Sequence, residues 1–163
     1  MEEVENKNKE IVVNESKINN QLDLLPEFLN SHIKNCVFKM DFTIENGQSE
    51  SKTGAGFVCD ISNIKAFITN NNILSQEFLD NEKKLILYNY KNEKKEINLE
   101  LDRYKYTDKE LDFTIIEIIK EDNFKDFLEI DEFIDSIDYK NKKICSLQYA
   151  NGDKLKFADG ENF

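Results

Sequence analysis

Few residues of this chain suit acid–base or nucleophilic work. There is one histidine, His32, in a stretch whose apolar spacing predicts a helix. It is expected there as an exposed or half-exposed helix side chain rather than as a base. The three cysteines, Cys36, Cys59 and Cys145, are odd in number and far apart, and none belongs to a C-x-x-C pair. A zinc site wants closer ligand pairs, so the thiols are expected to be reduced and to pack as small hydrophobes. No metal and no cofactor is expected. Two further positions bear on chemistry. Asp112 heads the apolar stretch Leu111 to Ile119, and Asn72 closes the polar run Thr69-Asn70-Asn71-Asn72. A carboxamide donates and accepts hydrogen bonds but does not ionise near neutral pH, so Asn72 cannot store a proton. With no histidine beside it, Asp112 is expected to serve as a strand-end carboxylate that accepts backbone N–H bonds near Asn70.

Local patterns predict the elements that must position these residues. Residues 1–20 are charged and amide-rich and are expected to be a disordered tail. Within 21–35, the spacing of Leu22, Leu25, Leu29 and Ile33 predicts an amphipathic helix from about Pro26 to Asn35, placed to cap one open end of a barrel. From Cys36 to Ile44 the period becomes two, and Asn46-Gly47 marks a hairpin turn. Strands are then predicted near Lys52 to Ile61, Lys65 to Thr69, Lys84 to Tyr90 and Lys95 to Tyr106. The last of these is long and alternates at Ile97, Leu99 and Leu101. Leu111 to Ile119 is predicted as a sixth strand, apolar enough to be buried on both faces. Gly54 and Gly56 suit a close backbone approach or a bend. Six short strands with turn signals between them predict an all-β fold, a six-stranded antiparallel barrel over residues 36–120. Residues 121–142 read as an acidic, irregular connector with helical turns, and 143–163 as a further hairpin, Lys143 to Tyr149 with Lys154 to Phe157.

At 163 residues with 39% apolar content, the chain can form one domain with a real core, or two very small ones. A net charge of −11 argues against nucleic acid and against an anionic membrane surface, both of which need a positive footprint. No apolar run approaches a membrane span, and the N-terminus has no apolar signal region. A cytoplasmic protein is expected.

Three segments together resemble one family. Gly54-Ala55-Gly56-Phe57-Val58-Cys59, then Phe67-Ile68-Thr69-Asn70-Asn71-Asn72-Ile73-Leu74, then Asp112-Phe113-Thr114-Ile115-Ile116-Glu117 resemble the first barrel of the trypsin-like (chymotrypsin-fold) serine peptidases. The intracellular "trypsin-like peptidase domain" proteins, with G-T-G-F-F-C, I-T-N-N-H-V-L and D-x-T-I-I-E-I segments, are the nearest in pattern. Asn35-Cys36-Val37 resembles the family's first strand. Gln148-Tyr149-Ala150-Asn151-Gly152 resembles the hairpin that opens its second barrel, with Ala150 in place of proline. The resemblance implies a triad aspartate at Asp112 and a histidine at position 72, where this chain has Asn72. It also implies a serine in a G-x-S-G segment, which the five glycines do not provide.

Two of three triad members are therefore missing, and no intact catalytic site is expected. The expected function is that of a catalytically inactive or truncated peptidase homologue that binds a protein or peptide. Self-association is a further expectation, because half of a two-barrel fold leaves apolar surface uncovered. Two alternatives stand beside it. One is part of a serine endopeptidase whose second barrel is supplied elsewhere. The other is an acidic interaction protein unrelated to peptidases.

Overall fold

The computed structural model describes residues 27–45, 49–130, 143–149 and 154–161. The expected tail, the Asn46-Gly47 turn, the second half of the acidic connector and the turn at 150–153 lie outside them. In chain order the elements are α1 (Glu27–Cys36), β1 (Val37–Glu45), β2 (Ser49–Ile61), β3 (Ile64–Thr69), α2 (Gln76–Asn81), β4 (Lys84–Tyr88), β5 (Lys94–Asn98), β6 (Lys105–Asp108), β7 (Phe113–Glu117), β8 (Leu128–Glu129), β9 (Lys143–Gln148) and β10 (Lys156–Glu161). Among the described residues no helix is long and apolar enough to cross a membrane.

The period-two segments pair as antiparallel neighbours. β1 runs against β2 from Val37↔Phe57 to Glu45↔Ser49. β2 turns into β3 through Ser62 and Asn63, whose φ values of 50° and 72° make the two-residue left-handed turn that suits twisted strands. The order across the main sheet is β5-β4-β1-β2-β3-β7-β6, with β8 added to β2 in parallel; β9 and β10 form a separate pair.

This order forces the sheet to curl. Its two edge strands, β5 and β6, are consecutive in the chain. Leu99 N still donates to Lys83 O (2.7 Å), and Glu117 N already donates to Tyr104 O (2.9 Å). The extended chain from 99 to 104 spans at most about 17 Å. A flat sheet of seven strands would separate its edges by about 29 Å. The inner face of the curl holds the core, with Phe38, Met40, Val58, Phe67, Leu87 and Ile116 almost wholly removed from water. α1 lies against β1 and β2, and the connector closes over the same region, with Phe124 edge-on to Phe38 at 5.4 Å.

Three sequence expectations need correction. The long fifth strand is broken into β5 and β6. Asn98 Oδ1 accepts from Glu100 N (3.0 Å) and turns the chain, and Leu101 points to solvent. Arg103 is then drawn inside. Its Nη1 donates to Asp122 Oδ2 (2.8 Å) and to Glu117 O (2.9 Å), and its Nη2 donates to Asp122 Oδ1 (3.1 Å). The two side chains are 0% and 3% exposed. A buried guanidinium needs its carboxylate, and strand regularity gives way to that demand. The sixth strand is shorter than Leu111 to Ile119 and is not buried on both faces. Thr114 and Ile116 are buried, while Phe113, Ile115 and Glu117 are only partly covered. Leu111 is 72% exposed, and Asp112 has φ 51°, which no strand continues through. The connector, expected to be irregular with helical turns, opens on a helical turn at Lys120–Asp122 and then contributes β8, where Leu128 pairs in register with Cys59.

The Arg103–Asp122 pair yields a stability prediction. Asp122→Ala leaves a buried cation uncompensated and should cost about 3–5 kcal/mol. The double change Arg103→Met with Asp122→Leu should recover most of that loss. Urea unfolding of the three proteins checks both; a single variant within about 0.5 kcal/mol of wild type would mean that water already reaches the pair.

Candidate functional site

The site is built where β2, β3 and β7 meet the loop after β3. Two glycines make room for it. A Cβ on Gly54 would collide with the Ile73 side chain, and one on Gly56 would collide with the Phe67 ring and lie 2.6 Å from Ile68 O. These are the close approaches that the sequence expected of them. The loop itself is a tight turn, with Ile73 N (3.2 Å) and Leu74 N (3.1 Å) donating to Asn70 O. Threonine hydroxyls pin it from both sides. Thr69 Oγ1 donates to Ala55 O (2.7 Å), and Thr114 Oγ1 donates to Leu74 O (2.6 Å). Ser75 then caps α2 by accepting from Phe78 N.

Asp112 is brought against this loop across forty positions. Its Oδ1 accepts from Asn72 N (2.9 Å), and its Oδ2 accepts from Asn70 Nδ2 (3.1 Å). Asn70 Nδ2 also reaches Asp112 O (3.3 Å). The two positions singled out in the sequence therefore do meet. The contact is made by the main chain of residue 72, the kind of backbone N–H bond expected of Asp112, and the carboxamide that bonds Asp112 belongs to Asn70. The side-chain role of Asn70 was not expected from the sequence, although its neighbour in the same polar run was singled out. The Asn72 side chain is exposed to solvent.

No histidine takes part in this arrangement, whose bonds join Asp112 to Asn70 and Asn72. The nearby threonine protons are committed to backbone carbonyls. His32 is engaged elsewhere, half-exposed on α1, with Nε2 3.2 Å from Phe127 O and Nδ1 3.5 Å from Asp126 Oδ1. With Asn35 Nδ2 donating to Asp126 Oδ2 (2.9 Å), it ties the helix to the connector. Cys36 and Cys59 are free and buried. Burial pushes their thiols up to about 12 and about 11. Burial likewise raises the Tyr149 phenol to about 12, and its oxygen has no partner among the described residues. None of these three groups ionises near neutrality. Among the described residues no cluster of three or more His, Cys, Asp or Glu side chains could hold a metal.

Beside Asp112 opens a cleft of about 420 Å³. Its walls are mostly apolar: Val37, Phe57, Ile68, Phe113 and Leu128, with Leu147 of β9 on the far side. Asn70 and Asp112 stand at its polar end. No protein-family model and no curated protein matches the chain.

This geometry predicts two outcomes. Asp112→Ala removes a charge-assisted acceptor from the Asn72 N–H and places alanine at a left-handed φ, and should cost about 1–2 kcal/mol. Asp112→Asn, which keeps an acceptor and tolerates that φ, should cost about half as much. Equal stability of all three proteins in urea would mean that the threonine bonds alone hold the loop.

The thiols predict a pH dependence. Their folded values lie above the ordinary 9.0. Their contribution is therefore fully present below pH 9 and falls as pH rises through about 11 and then about 12, because the unfolded chain ionises first. Unfolding midpoints from pH 8 to 10.5 should fall more steeply for wild type than for a Cys36→Ala/Cys59→Ala variant. Parallel profiles would refute the burial of the two thiols.

Proposed function

We infer that the chain is a non-catalytic domain of the trypsin-like serine-peptidase type, and that its work is binding a protein or peptide. The observation that carries this reading is the state of the Asp112 loop. The carboxylate that the resemblance assigns to orienting a base is occupied by the Asn72 main chain and the Asn70 carboxamide. The side chain at the base's position cannot hold a proton, and the hydroxyls around it donate to carbonyls. The curled sheet supports the family reading. Counting β5 and β6 as two halves of one interrupted strand gives six antiparallel strands, the number the resemblance implies. The apolar cleft next to this loop supports binding, since sites of this size and lining accept side chains of a ligand. Two buried free thiols suit a reducing, cytoplasmic setting.

A second reading is a serine endopeptidase half that works with a separately supplied second barrel. The separate β9–β10 sheet, with Leu147 against the cleft, favours it over an unrelated interaction protein. Asn72 weakens it, because added residues elsewhere do not restore a base at this position.

The purified chain should hydrolyse neither peptide nor ester substrates, and Asn72→His alone should not change that. Turnover that tracks the protein through purification and disappears in Asp112→Ala would overturn the binding reading. Activity that appears only when a second polypeptide is added would favour the endopeptidase half instead.

A further inference from the structure

The strand registers place five apolar residues in one row across the outer face of the curled sheet. Val37 opposes Phe57, Phe57 opposes Ile68, Ile68 opposes Ile115, and Ile115 opposes Tyr106. Side chains directly opposite on neighbouring strands share a face, so the row is continuous over β1, β2, β3, β7 and β6. Leu128 and Leu147 line, with its first members, the cleft beside Asp112. Its other end is open. Tyr106 is 42% and Tyr104 60% exposed, and their rings stack at 6.5 Å and 8°. The Phe113 ring, 5.8 Å from Tyr106, joins the tyrosines to the cleft.

Charge discriminates between occupants of this surface. Asp108, Glu110, Asp112 and Glu117 border the row and the tyrosines, and none of them is in an ion pair among the described residues. Lys105 and Lys109 lie in the same region, and Lys105 Nζ is turned to Leu99 O at 3.1 Å. Two copies of the chain docked through this face would bring these carboxylates against one another, at a chain charge of −11 each. A cationic partner relieves them instead, and exposed tyrosine faces attract ammonium and guanidinium groups.

Resting on the binding reading above, we propose that this surface holds an extended peptide segment with a bulky apolar residue next to lysine or arginine. The apolar side chain enters the cleft over Phe57 and Ile68. The cation lies between Asp112 and the Tyr106 ring, beside Phe113. The cleft volume suits one or two large side chains, so affinity is expected to be micromolar and to weaken with salt.

The test is a fluorescence-anisotropy screen of the full chain against a random pentapeptide library rich in leucine, phenylalanine, lysine and arginine. A second library replaces both basic residues by glutamine. The inference expects binding from the first library only. It expects that binding to fall about tenfold in Asp112→Asn, severalfold in Tyr106→Ala, and further at 300 mM than at 50 mM salt. Tyr106 is exposed, so its variant separates loss of contact from loss of fold. Equal binding from both libraries, or binding indifferent to both variants, would overturn the inference and leave the binding reading standing. No binding from either library would remove the binding reading itself. A wild-type dimer that Tyr106→Ala dissociates, detected by sedimentation, would assign the surface to a second copy and also overturn the inference.

Discussion

Arg103 and Asp122 meet with almost no water around them, and the shape of the sheet depends on how that meeting is satisfied. The guanidinium gives two bonds to one carboxylate and a third to Glu117 O, at the end of β7. Asp122 Oδ2 also accepts from Ile119 N (2.9 Å), which ties the chain leaving β7 to the same point. One ion pair thus joins the link between β5 and β6 to the strand beside β6. A hydrophobic side chain at 103 would fill the space but would not fix the two edges of the sheet in register. Burial of the pair is costly in itself, and Arg103 Nε finds no partner among the described residues. The return is geometric: the edges are held where residues 99–104 can span them.

Curling divides the strands' side chains into unequal sets. Inward residues fill a closed volume and are nearly all apolar. Outward residues face either a covering segment or water. Leu128 of β8 and Leu147 of β9 stand against only part of the outer face, where they line the cleft. The row from Val37 to Tyr106 passes from beneath this cover into the open, which is why one surface combines a cleft at one end with exposed tyrosines at the other. The same asymmetry explains why β7 alternates when its sequence, Phe113-Thr114-Ile115-Ile116, reads as uniformly buried. Thr114 faces inward and satisfies its hydroxyl on Leu74 O, whereas Phe113 and Ile115 face outward.

Much of the fold was legible because it is local. The change of period near Cys36, the break between the second and third strands and the glycines of β2 each report on their own neighbourhood, and each falls where the sequence placed it. The parts that were not legible depend on partners far along the chain. The break in the fifth strand comes from Arg103 reaching Asp122, nineteen positions on, and alternation at Ile97 and Leu99 gives no sign of it. The outer row is a sum of four registers, each set by a different hairpin or crossing, and no single segment displays it. Asn70 is a subtler case. Three consecutive asparagines are chemically alike, and only the turn that points one carboxamide at Asp112 tells them apart.

Position 72 shows how a site's chemistry and its scaffold can be separable. The loop keeps its shape through groups that do not depend on the side chain at 72: the Asn72 N–H, the Asn70 amide and carbonyl, and two threonine hydroxyls. Asp112 therefore keeps one bond to each carboxylate oxygen with no ionisable partner among the described residues, held in its left-handed conformation by donors that the loop needs satisfied. Had the carboxylate been anchored through the residue-72 side chain, exchange of that side chain would have left a charge without donors and opened the cleft wall. Because the bond uses the main chain, the side chain at 72 is free of structural duty. The cleft, its carboxylate and its apolar walls therefore do not depend on which side chain stands at 72.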